Sequence, residues 1–340
     1  MPSLVIPKYQ PSSINGHVEF ELPNISHPSF GKATISGRFP RIQPRFSRPE
    51  VDPKIISGLI SKYTKLVAEC GIGTASFERA GDITTSVAAA VQFTLYWNPT
   101  LALDSKGITF YIWFLLFAWV QYVHETYVKI ILMQEVEDPL PEIEGLPGFQ
   151  GICKVLQRMV VAGVDFVGDA DDYVEYIEPF ASTFQVCFQS DDWFTCCRLD
   201  KRFSLRTYNS WRQWNAGPDV CLEGQLFVRG IRIPQKVRRH PIFKRIMTIV
   251  MSNVAWGAYQ FKVNDMFGAG KDLSTAGNHP DNELVFRVLE KGEAIQDVVD
   301  DMCLLIGEEL HDLIYLKQAL LDIFGESENL LGFLRKWSTS

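Results

Sequence analysis

The sequence predicts an all-α protein. Three observations carry the prediction. Apolar residues recur at helical spacing in one segment after another, the segments are parted by Pro, Gly and Asn breaks, and one segment, Ile108 to Val123, is apolar on every face. At 340 residues the chain can bury a sizeable core, as one large domain or two small ones. A hydrophobic content of 46% and an aromatic content of 12% describe a globular protein with an unusually aromatic interior.

The elements follow in order. Residues 1–52 are rich in Pro, Ser and Asn and predict an irregular arm laid over the helical domain of residues 53–340. Pro53 opens the first helix, in which Ile55, Ile56, Leu59, Ile60, Tyr63, Leu66 and Val67 recur at helical spacing. A second runs from Asp82 to about Tyr96 and stops at Asn98-Pro99. Ile108–Val123 is sixteen residues long, short of the roughly twenty that a membrane span needs. It therefore predicts a helix buried on all sides rather than a span.

Residues 134–148 form an acidic Pro/Gly loop, and helical patterning resumes at Ile152–Val164. Asp169, Asp171, Asp172 and Glu175 mark the N-terminus of a helix running to Phe188, where acids complement the helix dipole without a metal. From Pro241 apolar residues recur at helical spacing up to Trp256. After a loop the pattern returns at Leu284, breaks near Gly292 and continues to Phe324.

The net charge of −7 and pI near 5.5 argue against a nucleic-acid partner, which calls for a basic face. Seven cysteines, with an adjacent pair at Cys196 and Cys197 and no CxxC, read as reduced thiols of a cytoplasmic protein. The first residues show no charged region followed by an apolar run, as a cleavable signal would.

The stretch that carries chemistry is WGAYQFKVNDMFGAGKD, Trp256 to Asp272. Asn264, Gly268 and Asp272 are spaced by four and form one row of a helix, with Lys271 on nearly the same face. An amide oxygen and a carboxylate suit a hard cation such as Mg²⁺, and a lysine beside them suits phosphate. The alternative is a helix end with a Gly-Ala-Gly terminus and solvated charges. It is not a Walker loop, because Asp265 stands where GxxxxGK[ST] needs its first glycine.

NDMFGAGKD resembles the second metal motif of class I terpene cyclases, an Asn-Asp pair followed by Ser or Thr, a basic residue and an acid. Asn264, Asp265 and Lys271 match, Gly268 stands where the serine ligand belongs, and Asp272 replaces Glu. In that family a buried helix ends in the aspartate-rich DDxxD motif. Here QYVHE occupies a comparable place, with Gln121 and Glu125 as the remaining oxygen ligands, or else residues that solvate a helix end. LMQEVEDP, Leu132 to Pro139, is a second register, and neither contains DDxxD. In RTYNSWRQWNAG, Arg212, Asn215 and Ala216 resemble the family's diphosphate-sensing arginine, its linker and its small effector residue. The Arg-Tyr pair that often closes the family's C-terminus is replaced by LRKWSTS.

The resemblance covers about residues 51–337. It is nearest to the trichodiene synthase-like fungal sesquiterpene cyclases and, within them, to the humulene synthases of tropolone-sesquiterpenoid pathways. It implies a helical bundle around a central active-site cavity, in which farnesyl diphosphate is ionised with Mg²⁺ and cyclised to a macrocyclic, humulene-type hydrocarbon. Asn264, Asp272, Gln121 and Glu125 would hold metal, and Lys271 and Arg212 the diphosphate, with Asn215 and Ala216 completing the catalytic set. Phe110, Trp113, Phe114, Phe117, Phe184, Trp256 and Phe267 would line the cavity. A homodimer stays open as an arrangement. The alternative function is a protein of the same fold that binds or isomerises a prenylated small molecule without metal-dependent ionisation.

Overall fold

The computed structural model describes residues 17–40, 51–72, 83–98, 101, 105–118, 124–140, 143, 148–199, 204–208, 218–250, 261–275 and 282–335. They belong to two compact units, one of residues 46–203 and 214–232, the other of residues 1–45, 204–213 and 233–340.

The first unit is helical. It contains α1 (Pro53–Glu69), α2 (Ile83–Trp97), α3 (Lys106–Ala118), α4 (Glu125–Ile131), α5 (Phe149–Val167), α6 (Ala170–Leu199) and α7 (Pro218–Val228). Asp52 starts α1 by accepting the Lys54 N–H at 2.9 Å, one turn before the apolar stripe begins. Helix α3 is the axis of the core: from Phe110 to Phe117 each side chain is at most 3% exposed. Its flanks are α2, α5 and α7. Helix α5 approaches α3 closely because Gly163 leaves room for the rings of Tyr173 and Phe110; a Cβ there would run into Tyr173. Asp169 caps α6 by accepting the Asp171 and Asp172 N–H groups at 2.8 and 3.0 Å, so the acidic cluster is a helix start. That helix is thirty residues long and passes the predicted end at Phe188.

Two boundaries differ from the sequence reading. The buried helix α3 spans Lys106–Ala118 among the described residues, and Glu125 opens the new helix α4 instead of ending the old one. His124 caps α4 in extended backbone, its Nδ1 accepting the Thr126 N–H at 3.3 Å. The N-terminal arm, expected to be irregular, contains an antiparallel hairpin of β1 (His17–His27) and β2 (Gly31–Pro40).

The second unit joins this hairpin to α8 (Gln235–Arg238), α9 (Pro241–Ile249), α10 (Phe261–Thr275), α11 (Glu283–Lys291), α12 (Ile295–Phe324) and α13 (Glu328–Arg335). Ile25, Ile35 and Phe39 bury one face of the hairpin. Strand β2 lies on α12, where Gln296 treats Ser36 as a strand partner would: its Oε1 accepts the Ser36 N–H at 3.1 Å and its Nε2 donates to the Ser36 carbonyl at 2.7 Å. Prolines at 23, 28 and 40 hid the pairing, since they read as breakers. They flank or interrupt the ladder, which slips between Leu22 and Ile25. The break at Gly292 between α11 and α12 is as predicted, and Arg287 ties the two helices by bonding Glu293 and, at 2.8 Å, Asp301. Among the described residues no helix is long and apolar enough to cross a membrane.

Gly163→Val should lower the unfolding free energy by about 1–3 kcal/mol through overpacking against Tyr173 and Phe110. Urea unfolding of the two proteins measures it.

Candidate active site

Helix α10 carries the row singled out in the sequence. Asp265, Met266, Ala269 and Leu273 form its buried face, while Gly268 and Asp272 lie at that face's edge, partly open to solvent. Position 264 continues the same row one turn earlier. The row is held by the polar contacts that join α10 to the N-terminus of α11. Asp265 is 1% exposed, and its Oδ2 accepts the Glu283 N–H at 2.6 Å and the Tyr208 hydroxyl at 3.4 Å. A carboxylate is well placed there, because the first turn of a helix offers unpaired N–H groups and the positive end of its dipole. Tyr208 is fixed in turn by stacking on Phe286, 5.3 Å between centroids and 9° between planes. Asn282 caps α11 and donates 2.8 Å bonds to the Asp265 carbonyl and to Asp272 Oδ2.

The Asp272 carboxylate leans back over Gly268. A Cβ at position 268 would stand 3.1 Å from Asp272 Oδ2, so the glycine makes the space that the carboxylate occupies. A hard oxygen donor lying along the row fits Mg²⁺, which prefers carboxylates and keeps waters besides.

In the first unit, aromatic side chains of α3, α4 and α6 pack in sequence. Phe114 meets Phe180 edge-on at 5.2 Å, Phe180 stacks with Phe184 at 6.1 Å, and Phe184 lies 4.7 Å from Phe117, which meets Tyr127 at 5.6 Å. Phe110 packs on Phe227 at 4.4 Å. Trp113 instead faces a cleft of about 490 Å³ lined by Cys70, Lys106, Lys154 and Arg158, with the Arg158 guanidinium 5.6 Å from its ring.

Helix α7 adds a buried acid pair one turn apart, Asp219 and Glu223, exposed by 4% and 6%. Asp219 Oδ1 has no hydrogen-bond partner among the described residues. Burial, and then the neighbouring Glu223, push the Asp219 carboxyl up to about 8.

No family model matches the sequence, and no curated protein does. Solved structures do match in three dimensions. Linalool/nerolidol synthase from Streptomyces clavuligerus aligns with a TM-score of 0.59 at 11% identity, over 88% of this chain and 97% of that one. An a-eudesmol synthase aligns at 0.56 and 15%, over 88% and 94%, and hedycaryol synthase in complex with HEPES at 0.54 and 14%, over 88% and 93%. The fold is that of the class I terpene synthases.

Within this terpene synthase fold the expected residues take the following places. Asp272 and Gly268 are on α10 as described, and Asn264 and Lys271 belong to the same helix by their backbone. Gln121, Arg212, Asn215, Ala216 and Trp256 lie outside the described residues. Glu125 is exposed at the start of α4 and pairs with Lys129 at 3.2 Å, as an i,i+4 surface pair. Phe110, Phe114, Phe117 and Phe184 are in the ring-rich core, and Trp113 faces the cleft between α1, α3 and α5. Phe267, expected to line a cavity, is 48% exposed and packs on Phe20 of the hairpin at 5.0 Å. The sequence reading passed over Asn282 and the Asp219–Glu223 pair, and it set Tyr208 only on one helix face with Arg212 and Asn215. For Asn282 a signal existed: an Asn three residues before Val285 at the head of an apolar run is an N-cap.

Asp265→Ala should cost about 1–3 kcal/mol, because it strands the Glu283 N–H in the interior; chemical denaturation reads the loss. Asp219 gives a pH signature. Below about pH 4 it is protonated in both folded and unfolded chains; from there to about pH 8 only the folded chain keeps the proton. Its contribution to stability therefore falls as pH rises across that window. Asp219→Asn should gain on the parent by up to about 1.4 kcal/mol per pH unit between pH 5 and pH 8, followed by urea midpoints at each pH.

Proposed function

We propose that the chain ionises farnesyl diphosphate in a Mg²⁺-dependent reaction and closes the prenyl chain to a macrocyclic, humulene-type hydrocarbon, releasing diphosphate. The observation that carries this reading is the Asp272 carboxylate, laid along the 264–268–272 row of a helix in a class I terpene synthase fold. The solved structures that share this fold include synthases named for hedycaryol, eudesmol, and linalool or nerolidol, which supports an isoprenoid substrate class.

Each residue then has a role in the proposed reaction. Asp272 and Asn264 would hold Mg²⁺ through oxygen. Bound Mg²⁺ supplies charge neutralisation for the departing diphosphate. Lys271 contributes a point charge to the same oxygens, and Arg212 a planar fork that engages two of them at once. Asn215 links Arg212 to Ala216, whose small side chain would leave its backbone carbonyl available to the reacting chain. An allylic cation must be kept from water, and aromatic faces both exclude water and attract positive charge. Phe110, Phe114, Phe117 and Phe184 are the rings we assign to that task. The product forms when the two ends of the farnesyl chain join and a proton leaves.

The test is incubation with farnesyl diphosphate, with and without Mg²⁺, reading diphosphate release and hydrocarbon by gas chromatography. Both should require Mg²⁺. Lys271→Ala should lower turnover by about 10²-fold or more with the helical circular dichroism unchanged, the scale of losing one charge-stabilising group. Metal-independent diphosphate release, or wild-type turnover by Lys271→Ala, would refute the reading.

A further inference from the structure

We infer that Asn282 is a positioning residue: its amide holds the Asp272 carboxylate over Gly268, in the orientation in which that carboxylate binds a divalent cation together with diphosphate. The inference rests on the Mg²⁺ reading of the α10 row and adds a residue that the metal motif does not contain.

The hydrogen bonds fix the amide without ambiguity. Asn282 Oδ1 accepts the Val285 N–H at 3.1 Å, so the carbonyl end must face α11. The nitrogen then faces two acceptors, the Asp265 carbonyl and Asp272 Oδ2, each at 2.8 Å. A flipped amide would set an oxygen against both and leave the cap unmade. Asn282 is fully buried, with both amide hydrogens and a lone pair of its oxygen engaged by these partners.

The consequence falls on Asp272. A carboxylate on a half-open helix edge samples several rotamers, and a metal that needs one of them must select it at a cost in affinity. Here one oxygen is tied to an immobile donor, and the missing Cβ at Gly268 leaves the space into which the group leans. A carboxylate has about four lone-pair sites, so a bond from an amide leaves it able to ligate a cation. Partners that orient a metal ligand in this way contribute about 10–100-fold to metal affinity. Asn282 also couples the ligand to the fold, because the same side chain starts α11 and binds the carbonyl of Asp265, whose carboxylate accepts the next N–H.

The experiment measures binding rather than turnover. Mn²⁺, whose spin resonance reports the free ion, is titrated into the full chain with inorganic diphosphate present. Asn282→Ser keeps an oxygen that can cap α11 but loses the amide donor. Asn282→Asp keeps size and cap and turns the donor into a second acceptor facing Asp272; it serves if the serine variant does not fold. Either variant should bind Mn²⁺ about 10–100-fold more weakly than the parent. In an Asp272→Asn background the same substitution should change the residual affinity little, since the group it positions is gone. Equal weakening in both backgrounds, or none in the parent, overturns the proposal. If the parent binds no Mn²⁺ with diphosphate, the Mg²⁺ reading falls and the proposal with it. If the parent binds and does not respond to Asn282, only the role of Asn282 falls.

Discussion

The placement of the α10 row depends on one buried charge-assisted contact, the Asp265 carboxylate on the first N–H of α11. Removing a carboxylate from water is unfavourable unless its oxygens find donors, and here the donors are a helix terminus and a tyrosine hydroxyl. Because the partner is the backbone of α11, the contact sets where that helix starts relative to α10. Asn282 then occupies the cap, and its amide reaches both Asp265 and Asp272. The acid that looks like half of a metal-binding Asn-Asp pair thus has a structural duty in this chain.

The core of the other unit obeys a different constraint. Between Phe110 and Phe117 α3 buries four rings beyond Tyr111, and rings of this size pack edge-to-face or offset rather than flush. Two of the helices against this core, α5 and α7, meet it at a glycine. Gly163 on α5 makes room for Tyr173, and Gly224 on α7 would bring a Cβ to 3.2 Å from Phe114. Into this apolar setting α7 carries Asp219, whose burial keeps it protonated near neutral pH. A protonated carboxyl is less costly in such surroundings than an ionised one.

Much of the helical layout was legible because periodicity and breakers agreed. Asn98-Pro99, Gly292 and the acids before α6 each mark an end that the structure has, and the apolar stretch from Ile108 is the buried α3. Where reading failed, two local signals competed. Prolines outweighed the alternation of Val18, Phe20 and Leu22, so β1 went unseen. His124 and Glu125 read as the end of the run from Ile108 because a histidine N-cap is a weaker signal than Ser or Asp, whereas His124 starts a new helix. The α10 row was legible because a spacing of four is geometric. The clasp behind it was not, since Tyr208, Asp265 and Asn282 are 57 and 17 residues apart in sequence and no spacing rule links them.

The amide of Gln296 on Ser36 spans 260 residues of sequence. A ribosome emitting this chain releases the hairpin well before it makes the helix that receives it. During that interval, on the order of ten to fifty seconds at ordinary elongation speed, strand β2 has neither Gln296 nor α12 to cover it. A nascent ribbon with bare strand edges is an invitation to sticking. Asn24, Lys32, Arg38 and the prolines near its ends make the ribbon a poor template for foreign strands while it waits.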